Sequence, residues 1–176
     1  FHDLRLFPKM RVIENVLVGS HIRNKYNFWD GLLRTPRFRK EEAEHTVRAI
    51  EILRSIGLDH LRDAFADSLP YGEQRKLEIA RAIATDAKLI LLDEPAAGMN
   101  PAESAELLRF IRELKDKGYT ILLIEHDMSV VMNISDRIYV LDHGKMIAEG
   151  LPQEIANNPR VIEAYLGGVQ KNAESD

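Results

Sequence analysis

Two short, unbroken aliphatic runs, LILL at 89–92 and ILLI at 121–124, flank a single strongly helical segment. Runs of this length with no polar alternation predict strands covered on both faces of a sheet. Between them lies NPAESAELLRFIRELKDKG, in which Asn100 caps a helix, Pro101 suits its first turn and Glu103 completes a capping box. Leu107, Leu108, Ile111 and Leu114 form its inward stripe, and Gly118 ends it. Strand, helix, strand at this spacing is a βαβ unit, which makes the fold class α/β with a parallel sheet. A third stretch, RIYVLDHGKMIAEG at 137–150, carries His143-Gly144 between two runs and predicts a hairpin.

Upstream the pattern is helical. From Glu41 onward Val47, Ile50 and Leu53 recur on one face, and Gly57 offers a stop. A second helix is expected over Gly72–Thr85 with Leu77, Ala80, Ile83 and Ala84 inward. The first 70 residues read as a separate, mostly helical lobe. The stretch 24–40 mixes aromatics, Gly, Pro and basic residues without a period and reads as an irregular excursion. Its Phe28 and Trp29 either pack beneath it or form a contact patch.

The 176 residues suit one domain able to bury most of a core. A net charge of −4 and a pI of about 5.9 weigh against broad nucleic-acid binding. The chain has no cysteine, which excludes disulfides, thiolate chemistry and cysteine metal sites. No apolar run approaches the roughly 18 residues that span a bilayer. The chain opens on Phe1 rather than Met, and the expectation is a piece of something longer.

Three places carry chemistry. Asp93 and Glu94 follow the first aliphatic run, and residues at the carboxyl ends of parallel strands line the ligand crevice. An Asp there suits Mg²⁺ bridging phosphate oxygens, and a Glu beside it suits a base that activates water; the alternative is a solvated turn before Pro95. His126 ends the next strand, where an imidazole either meets a γ-phosphate or makes a structural hydrogen bond. In SLPYGEQRKLEIARAIA, Gly72 permits close backbone approach at a helix start that favours phosphate, or simply begins a helix.

In their order, LPYGEQ…IARAIA, LILLDEP, AGMNP and EHD resemble the ATP-binding subunits of ABC transporters over nearly the whole chain. The resemblance implies a P-loop NTPase-like sheet with a helical signature subdomain, ATP and Mg²⁺ as ligands, and ATP hydrolysis. Leu69, Pro70, Tyr71, Gly72 and Glu73 match the signature loop, Asp93 the magnesium-binding aspartate and Glu94 the catalytic glutamate. AGMNP, with Asn100, matches the loop that crosses the dimer interface, and His126 matches the switch histidine. His2 stands where the family's magnesium-contacting glutamine is expected. The opening VIENVLVG, the insert GLLRTPRFRKEEAE and the ending NNPRVIEAYLG are similar to the branched-chain amino acid importer ATPases of the LivG type.

The family divides the chain into residues 1–84 (glutamine-loop remnant, helical subdomain, signature helix), 85–150 (catalytic α/β core) and 151–176 (C-terminal helices and tail). It implies a second ATPase subunit and a transmembrane permease as partners, no nucleic acid, and a place at the cytoplasmic face of the inner membrane. For Arg34, Arg37, Arg39 and Lys40, a solvated face stands against contact with lipid headgroups or permease loops. Rival readings are a lipopolysaccharide-export-type ATPase and a non-hydrolysing permease-docking module. DNA-maintenance ATPases fit less well, since no long heptad array interrupts the lobe.

The chain departs from the pattern at Pro70, Tyr71 and Glu73, where the family usually has Ser, Gly and Gln. Pro70 has neither hydroxyl nor N–H, so phosphate contacts must come from the Tyr71 and Gly72 backbone. Asn100 replaces a frequent Asp. No G-x-x-x-x-G-K-[ST] phosphate loop occurs; Gly144-Lys145 has Tyr139 five residues before Gly144. The family places that loop upstream, on a strand beside the one at 119–124. Without it, aliphatic side chains such as Ile121 and Leu123 are expected to lie exposed.

Overall fold

The computed structural model describes residues 6–21, 30, 33 and 35–164. It divides into two compact units, residues 1–124 and 125–176.

In the first unit, helix α1 (Val12–Ser20) packs on α3 (Tyr71–Ala84), and α2 (Pro36–Ser55) packs on both. The helical segment and the first two strands both fall within this unit. Gly19 makes the α1–α3 contact: a Cβ there would sit 2.3 Å from the Arg81 carbonyl oxygen and 3.1 Å from the Ala84 Cβ. On α3, Leu77, Ala80, Ile83 and Ala84 are buried as the periodicity implies. On α2 the stripe differs from expectation. Ala49, Ile52 and Leu53 are buried, with Ile56 just beyond, whereas Val47 is 57% exposed. Gly57, at φ +77°, ends the helix in the left-handed region that glycine adopts without strain.

Strand β1 (Leu89–Asp93), helix α4 (Pro101–Asp116) and strand β2 (Thr120–Ile124) form the βαβ unit. β1 and β2 pair in parallel, with Leu91 opposite Leu122 and Asp93 opposite Ile124. Asn100 Oδ1 accepts from the Ala102 and Glu103 amides, both at 3.0 Å, and the Glu103 carboxylate accepts from the Asn100 amide at 3.1 Å, closing the capping box. The buried stripe of α4 is Leu107, Phe110, Ile111 and Leu114, with Leu108 half-buried.

The expected two-sided burial of these strands is not what the structure has. Leu91 is 66% exposed, Leu122 48% and Ile124 57%. Pleat alternation puts these residues on one face, while Ile90, Ile121, Leu92 and Leu123 are buried or half-buried on the other. The exposed aliphatic face is thus that of Leu122 and Ile124, not of Ile121 and Leu123. Among the described residues, β2 pairs with β1 alone.

In the second unit, Asp127 caps the short helix α5 (Met128–Ile134): its carboxylate accepts from the Ser129 amide at 2.8 Å and from the Ser129 hydroxyl at 2.6 Å. Strands β3 (Ile138–Asp142) and β4 (Lys145–Gly150) form the anticipated hairpin. His143 and Gly144 both take positive φ, +45° and +75°, which suits the right-handed twist of a two-residue turn. Ile138, Ile155 and Val161 are buried here, with Ile155 on helix α6 (Pro152–Ala156). Met128, Val131, Met132, Val140 and Ala148 pack around them.

Candidate active site

The two acidic residues at the end of β1 are placed differently by the chain. Asp93 is the last residue of the strand and is exposed. Glu94 is half-buried and sits at φ +41°, in the left-handed region. For an L-residue that conformation costs about 1–2 kcal/mol, and it persists only where neighbours over-determine it. Two backbone hydrogen bonds do so. The Glu94 amide donates to the Ile124 carbonyl at 2.9 Å, and the Glu94 carbonyl accepts from the Ala97 amide at 3.1 Å. Buried Pro95 anchors the turn, and the Met99 amide donates to the Ala96 carbonyl at 3.2 Å. The strand therefore ends abruptly, and half-buried Glu94 sits on a kinked, braced turn.

The segment matching the signature loop opens α3. Leu69 is buried, and its carbonyl accepts from Gln74 Nε2 at 2.8 Å. Pro70 is the N-cap, and its carbonyl takes both the Glu73 and the Gln74 amides at 3.0 Å. Tyr71 and Gly72 occupy the first two helical positions, whose amides have no acceptor within a helix, and the cap supplies no side-chain bond. A Cβ on Gly72 would meet nothing within 4 Å, so packing inside the chain does not demand glycine there. Glu73 Oε2 is buried with no partner among the described residues.

Tyr71 does more than begin the helix. Its hydroxyl accepts from Arg75 Nη2 at 2.8 Å and from Nε at 3.2 Å, and the guanidinium lies 5.2 Å from its ring centroid. Arg75 is buried, and Nη1 pairs with Glu78 at 3.0 Å. The same hydroxyl donates to the Ala97 carbonyl, a long bond at 3.4 Å. The structure thus brings the start of α3 and the turn carrying Glu94 together through Ala97. Arg75 and Glu78 escape sequence reading, although Tyr71, Arg75 and Glu78 do sit at helical spacing on one face, and Ala97 opens the AGMNP motif without showing its contact to Tyr71.

The remaining candidates fall elsewhere. Asn100 is exposed and commits Oδ1 to the α4 cap. His126 is exposed and belongs to the second unit, directly before Asp127. His2, Phe28, Trp29 and Arg34 lie outside the described residues. Arg37, Arg39 and Lys40 are exposed on the first turns of α2, where Arg37 pairs with Glu41 at 3.4 Å and Lys40 with Glu44 at 3.9 Å. Among the described residues no group of three or more His, Asp or Glu is arranged to hold a metal, and no helix is long and apolar enough to cross a membrane.

Comparison with known proteins supplies the context. The family model described as "ABC transporter" matches residues 1–97, and that of the branched-chain amino acid ATP-binding cassette transporter matches residues 145–170. The chain is 52% identical over 168 residues to the high-affinity branched-chain amino acid transport ATP-binding protein LivG of Salmonella typhimurium, and 51% identical to LivG of Escherichia coli K12. Each alignment covers 95% of this chain and 66% of the relative, so the chain spans just under two thirds of their length. The lipopolysaccharide export ATP-binding protein LptB of Haemophilus influenzae is more distant, at 33% over 165 residues. The crystal structure of an ATP-binding cassette of an ABC transporter in its ADP conformation superposes with a TM-score of 0.74 at 36% identity, over 91% of this chain and 64% of that one. With a family match over more than half its length and this likeness in fold, the chain belongs to the ABC transporter family.

Proposed function

We propose that the chain serves as part of the ATP-binding and hydrolysing subunit of an ABC importer for branched-chain amino acids. The observation that carries the chemistry is Glu94: a carboxylate held at strained φ on a braced turn at the carboxyl end of a parallel strand. Glu94 is the general base that takes a proton from the water attacking the γ-phosphate of ATP. Asp93, exposed beside it, offers hard carboxylate oxygens of the kind Mg²⁺ takes one or two of while keeping water and phosphate oxygens for the rest. When bound, the ion neutralises charge developing on the phosphates. The Tyr71 and Gly72 amides present a helix N-terminus to a phosphate of a nucleotide held by a second subunit, and open space at Gly72 leaves room for it. His126 is assigned the γ-phosphate contact and Asn100 the subunit interface, both on motif position. His2 is assigned the nucleotide contact by the same reasoning.

Identity of 51–52% with LivG proteins, against 33% with the lipopolysaccharide-export ATPase, supports the importer over its nearest rival. The partners of the reading are a second ATPase subunit and a permease, with the subunit peripheral to the cytoplasmic face of the membrane. The test is Glu94→Gln in the full-length subunit. ATP binding is expected to survive while hydrolysis slows by roughly 10²-fold or more, the usual scale of a general base, and the ATP-bound dimer should accumulate. Near-normal turnover would remove Glu94 from this role and favour the docking-module reading.

A further inference from the structure

We infer that Tyr71 is a positioning residue for Glu94, acting through its hydroxyl on the turn that follows β1; the inference rests on the assignment of Glu94 as the base. The connection is a chain of hydrogen bonds. Arg75 donates twice to the Tyr71 oxygen, at 2.8 and 3.2 Å, and that hydroxyl donates to the Ala97 carbonyl at 3.4 Å. The Ala97 amide donates back to the Glu94 carbonyl at 3.1 Å, and the Glu94 amide to Ile124 at 2.9 Å. A single residue, Ala97, is therefore held at its two ends by Tyr71 and by Glu94.

Three features give this contact a purpose. First, Glu94 is in a conformation that L-residues leave readily, so a turn clamped on both sides is what keeps its carboxylate aimed. Second, the Arg75 cation is buried and forked onto the phenol, which occupies the oxygen's lone pairs and leaves its proton for the Ala97 carbonyl. Third, Tyr71 is the first residue of α3, beside the two amides assigned to phosphate. A displacement of the helix start by a nucleotide is thereby transmitted to the Glu94 turn through the Tyr71 side chain. The residue that replaces a glycine of the family pattern thus ties phosphate contact to the placement of the base.

The experiment uses Tyr71→Phe in the full-length subunit, which removes the hydroxyl and keeps the ring over Arg75. Expected is a fall in kcat of roughly tenfold, in line with small misplacements of catalytic groups, with KM for ATP and the melting temperature nearly unchanged. Glu78→Gln is the control, since it removes the charge that Arg75 pairs with yet leaves the Tyr71–Ala97 contact; it should keep kcat within about twofold of the parent. Should Tyr71→Phe fail to fold, Tyr71→Gly, which restores the residue of the family pattern, removes the same hydroxyl and reads the same effect. Unchanged kcat in Tyr71→Phe, or an equal fall in Glu78→Gln, overturns the inference; so does a loss carried by KM alone. Glu94→Gln run alongside separates the two readings. If it abolishes turnover while Tyr71→Phe is normal, only this inference fails; if it turns over normally, the assignment of Glu94 fails first.

Discussion

Glycine at position 94 should stabilise this protein relative to alanine, although glycine does the reverse almost everywhere else. At φ +41° an L-residue is held at a cost of about 1–2 kcal/mol, which glycine does not incur. Against that stands the greater chain entropy of unfolded glycine, about 0.5–1 kcal/mol. The difference leaves Glu94→Gly more stable than Glu94→Ala by up to about 1.5 kcal/mol. Both substitutions delete the carboxylate, so its lost contacts cancel in the comparison. Ala105 supplies the internal control: it is exposed in the middle of α4, where Ala→Gly should cost about 1 kcal/mol. Urea unfolding of the three variants in the full-length subunit, followed by circular dichroism, reads the two signs directly. Neither Glu94 variant should hydrolyse ATP, so their difference reads the backbone strain alone. If Glu94→Gly proved no more stable than Glu94→Ala, the turn would carry no strain and the structural case for Glu94 would lose its footing.

Other outcomes follow from single positions. Gly19→Ala places a methyl 2.3 Å from the Arg81 carbonyl and should destabilise the first unit by about 1–3 kcal/mol, measured by denaturant midpoint, with an unchanged midpoint refuting the close α1–α3 approach. Gly72→Asp should leave stability intact or slightly raised, since an acidic residue suits the first turn of a helix, yet block closure of the ATP-bound dimer on a sizing column; dimer formation at the parent level would remove Gly72 from the phosphate contact. The Ser129 hydroxyl and amide hold the Asp127 carboxyl below its ordinary value of 3.8, with a smaller contribution from His126. The folded value is depressed, so this cap contributes fully above pH 3.8 and is lost as pH falls through the folded value; an NMR titration should show a midpoint below 3.8 that rises in Ser129→Ala. The 176-residue chain alone should bind Mg-ATP no better than millimolar and hydrolyse none, because its sequence supplies no phosphate loop to offset Asp93 and Glu94; micromolar binding by calorimetry would relocate the phosphate site.

What could be read from the sequence was local. The Asn100–Glu103 box, the βαβ unit and the His143-Gly144 turn each depend on residues within a few positions of one another, and all are present. The stripe of α2 differs from its periodicity because Ala49, a small residue, belongs to it while the larger Val47 does not. An unbroken aliphatic strand shows that both faces tolerate burial, not that both are covered, which is why Leu91 and Leu122 came out exposed. Gly19 gives no local sign of its neighbour Arg81, and Tyr71 none of Ala97, 26 residues on. These contacts exist only once helices and strands are packed. The left-handed backbone at Glu94 is likewise held by a bond to Ile124 on the parallel partner, which the sequence does not show, together with the Ala97 amide.

Pro70 and Tyr71, the two departures at the head of α3, belong together physically. Proline removes a hydroxyl and an amide that a phosphate would otherwise meet, so that position contributes rigidity alone. Its fixed backbone sets the entry angle of the helix, and its carbonyl gathers the Glu73 and Gln74 amides. That leaves the Tyr71 and Gly72 amides as the donors facing outward, on a helix start with little freedom to turn away. Tyrosine then adds an anchor that glycine lacks: a ring beneath a buried guanidinium and a hydroxyl reaching the Ala97 carbonyl. A looser helix start with more donors would adapt to the phosphate without moving its surroundings. A stiff start with fewer donors, bonded to the turn of Glu94, must move the turn or exclude the phosphate. Reverting Tyr71 to glycine would therefore be expected to preserve nucleotide-driven dimer closure while lowering turnover, and dimerisation by sizing beside phosphate release measures both. Turnover equal to the parent at equal dimer formation would show that the two events are not linked through this residue.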